Sequence, residues 1–398
     1  MSEKRFVYAD NAATTSVHPR VLADMLPYLG EFYGNASSLY SKGQETAARL
    51  DSARKRIANV LGCEPKEIYF TGCGSESDNW AIKGAVDAYL LRYKTNKCHI
   101  ITTKIEHHAV LNTCKALEKK GIDVTYLDVD NYGRVNPEDV LKNLRDDTCL
   151  VAIMYANNEI GTIQPIAEIA KLLEDKKVLF FTDAVQAVGH IPVDVKKLGV
   201  DMLALSGHKF RAPKGIAALY IKSGVVIKNL NDGGGQERSK RGGTENVASI
   251  MGLATALEIA NEEMQDDNAR LAVLRDDLIR RITEEIPESL VTGHPTKRLP
   301  GTASFVFKYI EGESLLLMLD AHGICASTGS ACSSKSLEPS HVLLSIGLPH
   351  EIAHGSLRLS LSHETTQEDV DYIVEKVKQV VQTLRNFSPI CPKELKNR

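Results

Sequence analysis

Five short segments of this 398-residue chain place small, polar or ionisable residues just after a β-rich run. They are Gly72-Cys73-Gly74-Ser75-Glu76, Glu106-His107-His108, Asn157-Asn158-Glu159, Asp183-Ala184-Val185-Gln186 and Ser206-Gly207-His208-Lys209. Each has an ordinary reading by itself. An Asp after a strand usually caps a turn or helix, a lone His is usually a satisfied structural group, and a Lys there is usually a solvated charge. Together they say more, because ligands of open α/β sheets bind outside the carboxyl ends of the strands, and those ends converge on one cleft. Two glycines with Ser75 opening a helix suit a phosphate held by backbone N–H groups. Asp183 suits a protonated ring nitrogen, His107 a ring stacked on a heterocycle, and Lys209 an amine that forms a Schiff base with an aldehyde. Phosphate, pyridinium and aldehyde in one cleft describe pyridoxal 5'-phosphate, for which a Lys and an Asp are the expected protein partners. A nucleotide fits less well: the chain has no G-x-x-x-x-G-K-[ST], and no G-x-G-x-x-G follows a strand.

The elements that must hold these residues follow from periodicity. EIYFTG (67–72), HIITT (99–103), DVTYLDV (123–129), LVAIMYA (150–156), VLFFTD (178–183), MLALSG (202–207) and IAALYI (216–221) read as strands. Two of them, LVAIMYA and VLFFTD, are continuous apolar runs, the pattern of strands buried on both faces. Helical patterns run from Glu76 to about Leu91 and from His107 to Lys120, where Gly121 stops the second. Asn136-Pro137 opens another, with a capping side chain followed by proline at the first helical position. Such alternation predicts an α/β domain on a mainly parallel, seven-stranded type of sheet. Past Ala248 the pattern changes. A long helix from Val247 to Ile286 is followed by short strands at 302–307 and 357–362 and helical patterns at 313–322 and 367–385. The expected division is a large cofactor-binding domain over 16–260 and a smaller α+β domain made of 1–15 and 261–398.

Composition excludes other classes. Lys+Arg is 48 against Asp+Glu 51, a net charge of -3, which offers no general attraction for nucleic acid or acidic lipid. Apolar runs such as IAALYI fall far short of the roughly 20 residues of a membrane helix. MSEKRFVYAD has no apolar stretch behind it, so no secretory leader is expected. Eight cysteines without C-x-x-C spacing argue against a zinc site, so no metal is expected in the fold itself. A cytoplasmic protein with all eight as thiols is the expectation. Cys98, Cys114 and Cys149 are expected to be buried. Cys332 differs, because ASTGSACSSKS (326–336) gives it no apolar neighbour to pack on, which favours a reactive, exposed thiol.

Seven separated segments carry a resemblance: TGCGSESDN (71–79), KIEHHAV (104–110), NNEIGTIQP (157–165), DAVQAVG (183–189), SGHK (206–209), GGGQERSKRGGTEN (233–246) and STGSACSS (327–334). In this order, from about Val7 to Leu384, they resemble the cysteine desulfurase family of class V aminotransferases, which has the type I PLP fold. The resemblance implies that Lys209 holds the cofactor and Asp183 its ring nitrogen, with Gln186 and Asn158 near the ring oxygen. It implies that His107 stacks on the ring and serves as acid or base. Ser75, Ser206 and His208 would bind the phosphate with the backbone of Gly74 and Ser75, and Thr244 would reach the phosphate of the other subunit of a homodimer. Arg358, with Asn35 nearby, would clamp the substrate carboxylate. Cys332 would take sulfur from L-cysteine as a persulfide, leaving L-alanine, and pass it to an acceptor such as an iron–sulfur scaffold protein; it could also ligate a transient iron–sulfur cluster. Cys325 and Cys73 are lesser candidates for the nucleophile.

The resemblance does not separate service to nitrogenase, general cluster assembly or tRNA thiolation. A selenocysteine lyase or another class V PLP enzyme is the rival reading, although a transaminase needs no such thiol. A degenerate binding homologue fits poorly with retention of Lys209, Asp183, His107 and Cys332. Departures from the family pattern are Ala36 where proline is common, Cys73-Gly74-Ser75 where Ala-Thr is frequent, Thr328 for Ser, and Phe210-Arg211-Ala212 for a Tyr-Gly sequence. Arg211 is expected either to tune Lys209 or to point to solvent. Gly233-Gly234-Gly235, with Arg238 and Arg241, is expected to form an active-site loop at the dimer interface. The tail from Phe387, with Lys393, Lys396 and Arg398, either docks an acidic partner or frays.

Overall fold

The apolar runs between residues 67 and 222 lie side by side in a computed structural model that describes residues 5–329 and 338–396. In chain order the strands are β1 (Val7–Tyr8), β2 (Ile68–Thr71), β3 (His99–Thr103), β4 (Asp123–Leu127), β5 (Thr148–Ala152) and β6 (Leu179–Asp183). They continue as β7 (Met202–Ser206), β8 (Ala217–Ile221), β9 (Ser289–Val291), β10 (Thr302–Phe307), β11 (Ile324–Cys325) and β12 (Ser356–Ser360). A seven-stranded sheet runs in the order β2-β8-β7-β6-β5-β3-β4. β3 to β7 are parallel, and β8 is antiparallel to both β7 and β2. Two reversals leave β2 pointing the same way as β7, so the carboxyl ends of β2, β3, β5, β6 and β7 share one edge. Strand order reverses between β3 and β5, the switch point where a ligand crevice opens.

Alternate residues of the inner strands face opposite layers. Val151 and Leu203 join one core with Leu50 and Ile57 of the helix Ser41–Leu61. Leu150 and Met202 join another with Trp80 of the helix Gly74–Tyr93 and Val110 of the helix His108–Glu118. β3, β5, β7 and β8 are buried throughout, whereas the edge strand β4 is not. The helix Ser41–Leu61 is absent from the sequence reading. It ends at Gly62, whose φ of 72° puts the chain in the left-handed region while its N–H bonds the Ala58 carbonyl.

The second layer system is the antiparallel sheet β12-β10-β9, with the helices Gly312–Ala321 and Gln367–Phe387 packed in its core. The helix Val247–Glu285 serves both units: Leu257 and Ile259 lie in the first core, Leu271, Leu278 and Ile282 in the second. At the N-terminus, β1 pairs with β11, and Val7 and Ala9 are buried in the second core. The tail does not fray as far as Lys396. Cys391 is buried, and Gln382 Nε2 donates to the Leu395 carbonyl at 3.0 Å.

Candidate active site

A cavity of about 530 Å³ opens at the shared carboxyl edge, and Gly74, Ser75, His107, Asn158, Asp183, Gln186, Ser206, His208, Lys209 and Arg358 all line it. Asn35 and Thr244 do not line it within the single chain. Both are exposed, and Asn35 Oδ1 accepts the Ser37 N–H at 2.9 Å.

Lys209 ends the one-turn segment that follows β7. Its Nζ donates to the carbonyls of Ala12 at 2.7 Å and Ala13 at 2.9 Å. Gln186 Nε2 donates to the same Ala12 carbonyl at 2.9 Å, so the turn that follows β1 braces both side chains. Asp183 ends β6, and its Oδ1 accepts the Val185 N–H at 2.9 Å. Burial pushes the Asp183 carboxyl up to about 6, while the Val185 N–H and the Lys209 charge pull it back. A protonated ring nitrogen facing it would favour the carboxylate further.

His107 is the N-cap of the helix His108–Glu118, with Nδ1 accepting the Ala109 N–H at 3.1 Å. The ordinary reading of this residue is therefore also true. Burial first, then Lys209, lowers its pKa to about 4, so the ring is neutral at pH 7. With Nδ1 an acceptor, the neutral ring carries its proton on Nε2.

The helix Gly74–Tyr93 begins two residues before the sequence pattern suggests. Its N-cap is Cys73, which makes no side-chain capping bond. Ser75 therefore lies inside the first turn with its hydroxyl not spent on capping, correcting the expectation that it opens the helix. A Cβ at Gly74 would sit 2.9 Å from Val185 Cγ2, so a side chain here requires Val185 to give way. Gly74→Ala is expected to weaken cofactor retention by about tenfold through overpacking. Dialysis against free cofactor measures this, and unchanged retention would show the approach to be unimportant.

Three buried acids stand around the cavity: the sequence reading assigned no role to Asp78, and placed Glu106 and Glu159 at strand ends without one. Asp78 lies one turn beyond Ser75 on the same helix face, and one of its oxygens, Oδ1, is buried without a hydrogen-bond partner. Asp78, His107 and Asp183 bring donor atoms within 4.8 Å of one another. Burial first, then the neighbouring Asp183 and Glu106, raises Asp78 well above the usual carboxylate range. Glu106 accepts the Thr103 hydroxyl at 2.6 Å and the Met154 N–H at 3.0 Å, and burial raises it to about 8. Glu159 is 5% exposed in the turn after β5. Arg358, on β12, donates to Asp10 Oδ1 and to the Asn158 carbonyl, both at 2.7 Å. This contact fixes the guanidinium at the seam of the two cores.

Cys332 lies outside the described residues, but Gly329, Glu338, Pro339 and Ser340 on either side of its segment line the cavity. Cys73 lines it as well; Cys325, paired with Tyr8 across β1 and β11, does not. Cys98, Cys114 and Cys149 are buried. Arg211 neither reaches Lys209 Nζ nor points to open solvent. It adopts φ 70° and turns its guanidinium toward Glu263 at 3.6 Å. Arg241 and Arg238 are also engaged within the chain. Arg241 pairs with Glu76 at 2.8 Å, and Arg238 lies 4.1 Å over the Tyr69 ring.

The donor set fits pyridoxal phosphate on three counts. The long helix Gly74–Tyr93 has no side-chain cap at its glycine-cleared start, where an anion is favoured. Asp183 and Asp78 place buried carboxyl groups in the floor, and the amine of Lys209 lies in the same cavity. Fold and site together define a PLP-dependent enzyme of the type I fold. The aminotransferase class-V family profile matches residues 7–373. A Methanosarcina thermophila protein named cysteine desulfurase IscS is 56% identical over 393 residues, covering 99% of this chain and 96% of its own. A Clostridium botulinum protein of the same name is 54% identical over 394 residues, covering 98% of each chain. A solved structure described as a NifS-like protein superposes with a TM-score of 0.89 at 40% identity, covering 96% of this chain and 100% of its own. The chain belongs to the aminotransferase class-V family.

Proposed function

We propose that this protein is a cysteine desulfurase that converts L-cysteine to L-alanine and keeps the sulfur as a persulfide on Cys332. The carrying observation is that both flanks of the Cys332 segment line the cavity that holds Lys209 and Arg358. Bound there, pyridoxal phosphate supplies an electron sink through its protonated ring. The chain's own groups supply the rest. Lys209 Nζ holds the cofactor and then takes the substrate α-proton. Asp183 keeps the ring nitrogen protonated. The N–H groups of Gly74 and Ser75, with the side chains of Ser75, Ser206 and His208, hold the phosphate, and Thr244 contributes from the other copy. Gln186 and Asn158 would lie beside the ring, and His107 would stack on it with Nε2–H available to the substrate. Arg358 binds the substrate carboxylate, with Asn35 joining it. The Cys332 thiolate attacks the substrate sulfur: the Cβ–S bond breaks and an S–S bond forms. Cysteine plus an enzyme thiol thus gives alanine plus an enzyme persulfide, with atoms in balance.

An iron–sulfur scaffold protein is the proposed acceptor. A homodimer is supported by the exposed Leu22, Leu26, Leu29, Tyr33, Leu39 and Tyr40, crowded into one short stretch. The proposed domain boundary near residue 260 falls within the long helix, between its two sets of core residues. No described helix is long and apolar enough to cross a membrane. A reducing cytoplasm is the proposed location, supported by the free thiols among the described cysteines.

Incubation with L-cysteine and a thiol reductant is expected to release sulfide and alanine in equal amounts. Pyruvate in place of alanine, or turnover of selenocysteine alone, would overturn the reading. Asp183→Asn tests the ring-nitrogen role separately. Asparagine keeps an oxygen for the Val185 N–H, so the turn survives, but an amide does not hold the ring proton. Turnover is expected to fall on the order of 10²-fold or more with cofactor still bound. Near-normal turnover with a lowered melting temperature would leave Asp183 as a turn cap only.

A further inference from the structure

Glu159 stands two residues beyond Asn157, a fully buried side chain that fixes the turn after β5. Asn157 Oδ1 accepts the N–H groups of Glu159 at 2.9 Å and Ile160 at 3.0 Å, and its Nδ2 donates to the Ile105 carbonyl at 2.9 Å. The Glu159 backbone is thereby locked to the sheet edge. Its side chain then meets two points of the chain remote in sequence. Ser340 donates its hydroxyl to Glu159 Oε2. The same Ser340 oxygen accepts the N–H groups of Val342 and Leu343, so it also caps the helix His341–Ser345. Gly329 comes against the same carboxylate oxygen: a Cβ there would lie 2.6 Å from Glu159 Oε2 and 3.0 Å from Ser340 Cβ. The two flanks of the segment that carries Cys332 therefore meet at one buried carboxylate. Just upstream, Ser327 and Arg358 exchange backbone hydrogen bonds, which ties that flank to the strand bearing the proposed substrate clamp.

A carboxylate in this place has a cost that a merely structural contact would not require. Burial pushes Glu159 up to about 7, with the Ser340 hydroxyl and the Arg358 charge opposing the rise. An apolar or amide side chain would fill the space without that desolvation. No step assigned above uses Glu159.

We propose that Glu159 is a positioning residue for sulfur transfer: it clasps Gly329 and Ser340, and so fixes where the Cys332 segment leaves and rejoins the active-site wall. The proposal rests on the reading of Cys332 as the sulfur acceptor. It is a statement about one step, since Glu159 holds the flanks of the thiol-bearing segment and is not among the groups that bind the cofactor.

The test uses the cofactor-loaded enzyme with Glu159→Gln, Ser340→Ala and the double variant. Three quantities are read: the absorbance of bound cofactor, the L-cysteine concentration dependence of its spectral change, and the rate at which sulfur appears on the Cys332 peptide by mass spectrometry. The first two are expected to match the wild type in every variant. The third is expected to fall by on the order of 10- to 100-fold, the effect of misplacing a reacting group. The double variant is expected to be no slower than the worse single one, because both changes break the same contact. Wild-type persulfide rates in both single variants would overturn the proposal. So would a loss of cofactor binding or cysteine response in step with the persulfide rate, which would make Glu159 part of the cofactor site or the fold. Failure of the underlying reading looks different: the wild-type enzyme itself would then place no sulfur on Cys332.

Discussion

Alanine at position 209 is expected to abolish L-cysteine turnover, by about 10³-fold or more given what a positioned proton-transfer group contributes, and to remove the borohydride-reducible link to the cofactor. The expectation follows from how few alternatives the site offers. Lys209 closes the turn Gly207–Lys209 that follows β7, and that turn is tightly packed. A Cβ on Gly207 would sit 2.9 Å from both Ala212 Cβ and Leu253 Cδ1, and the Lys209 carbonyl lies 2.9 Å from His190 Nε2. The backbone that aims the amine is therefore fixed from two sides. The amine itself is held by two main-chain carbonyls that belong to the N-terminal segment. Among the described residues that line the cavity, Lys209 is the one lysine. The measurement is alanine by chromatography, with reduction and peptide mapping to locate the cofactor link. A variant that retains a reducible adduct on another lysine and turns over at the wild-type rate would falsify the assignment.

What made this site legible in the sequence is the parallel sheet. Short apolar runs end where the backbone leaves the sheet, so the chemistry-bearing residues after β2, β3, β5, β6 and β7 can be gathered without knowing any contact. The parts that were not legible depend on distant partners. The helix Ser41–Leu61 buries Arg54 along with Leu50, Ile57 and Leu61, which dilutes its apolar stripe. That burial is possible because Arg54 pairs with Glu237 at 2.8 Å, far along the chain. Glu159 reads locally as one more polar turn residue, and its burial is set by Ser340 and Gly329 from the other structural unit. Arg211 follows Lys209 closely in sequence, yet its left-handed backbone sends the guanidinium to the long helix instead. The helix Gly74–Tyr93 starts earlier than its pattern because two poor helix formers open it. Their low propensity hides the helix end in the sequence and leaves that end bare for an anion in the structure.

Cys332→Ala is expected to separate cofactor chemistry from sulfur transfer. The groups assigned to the cofactor have holding partners among the described residues: Lys209 Nζ bonds the Ala12 and Ala13 carbonyls, Asp183 accepts the Val185 N–H, and the helix Gly74–Tyr93 starts at Cys73. The variant is therefore expected to take up cofactor and to show an L-cysteine-dependent spectral change like that of the wild type. Alanine release is expected to stop, because the substrate Cβ–S bond breaks only when a thiolate accepts the sulfur, and a methyl group accepts nothing. Cys73 is the competitor that matters, since it is exposed and lines the same cavity, whereas Cys325 sits in β11 outside it. Mass spectrometry of the wild type after brief L-cysteine treatment is expected to find one added sulfur on the peptide containing Cys332. Sulfur on Cys73 would move the nucleophile to the other wall of the cavity, beside the helix start, and leave the desulfurase chemistry intact. Full alanine production by Cys332→Ala with no persulfide on any cysteine would end the desulfurase reading. The substrate sulfur would then pass directly to an external thiol, giving alanine and a small-molecule persulfide, and the same cavity would belong to a lyase that needs no cysteine of its own.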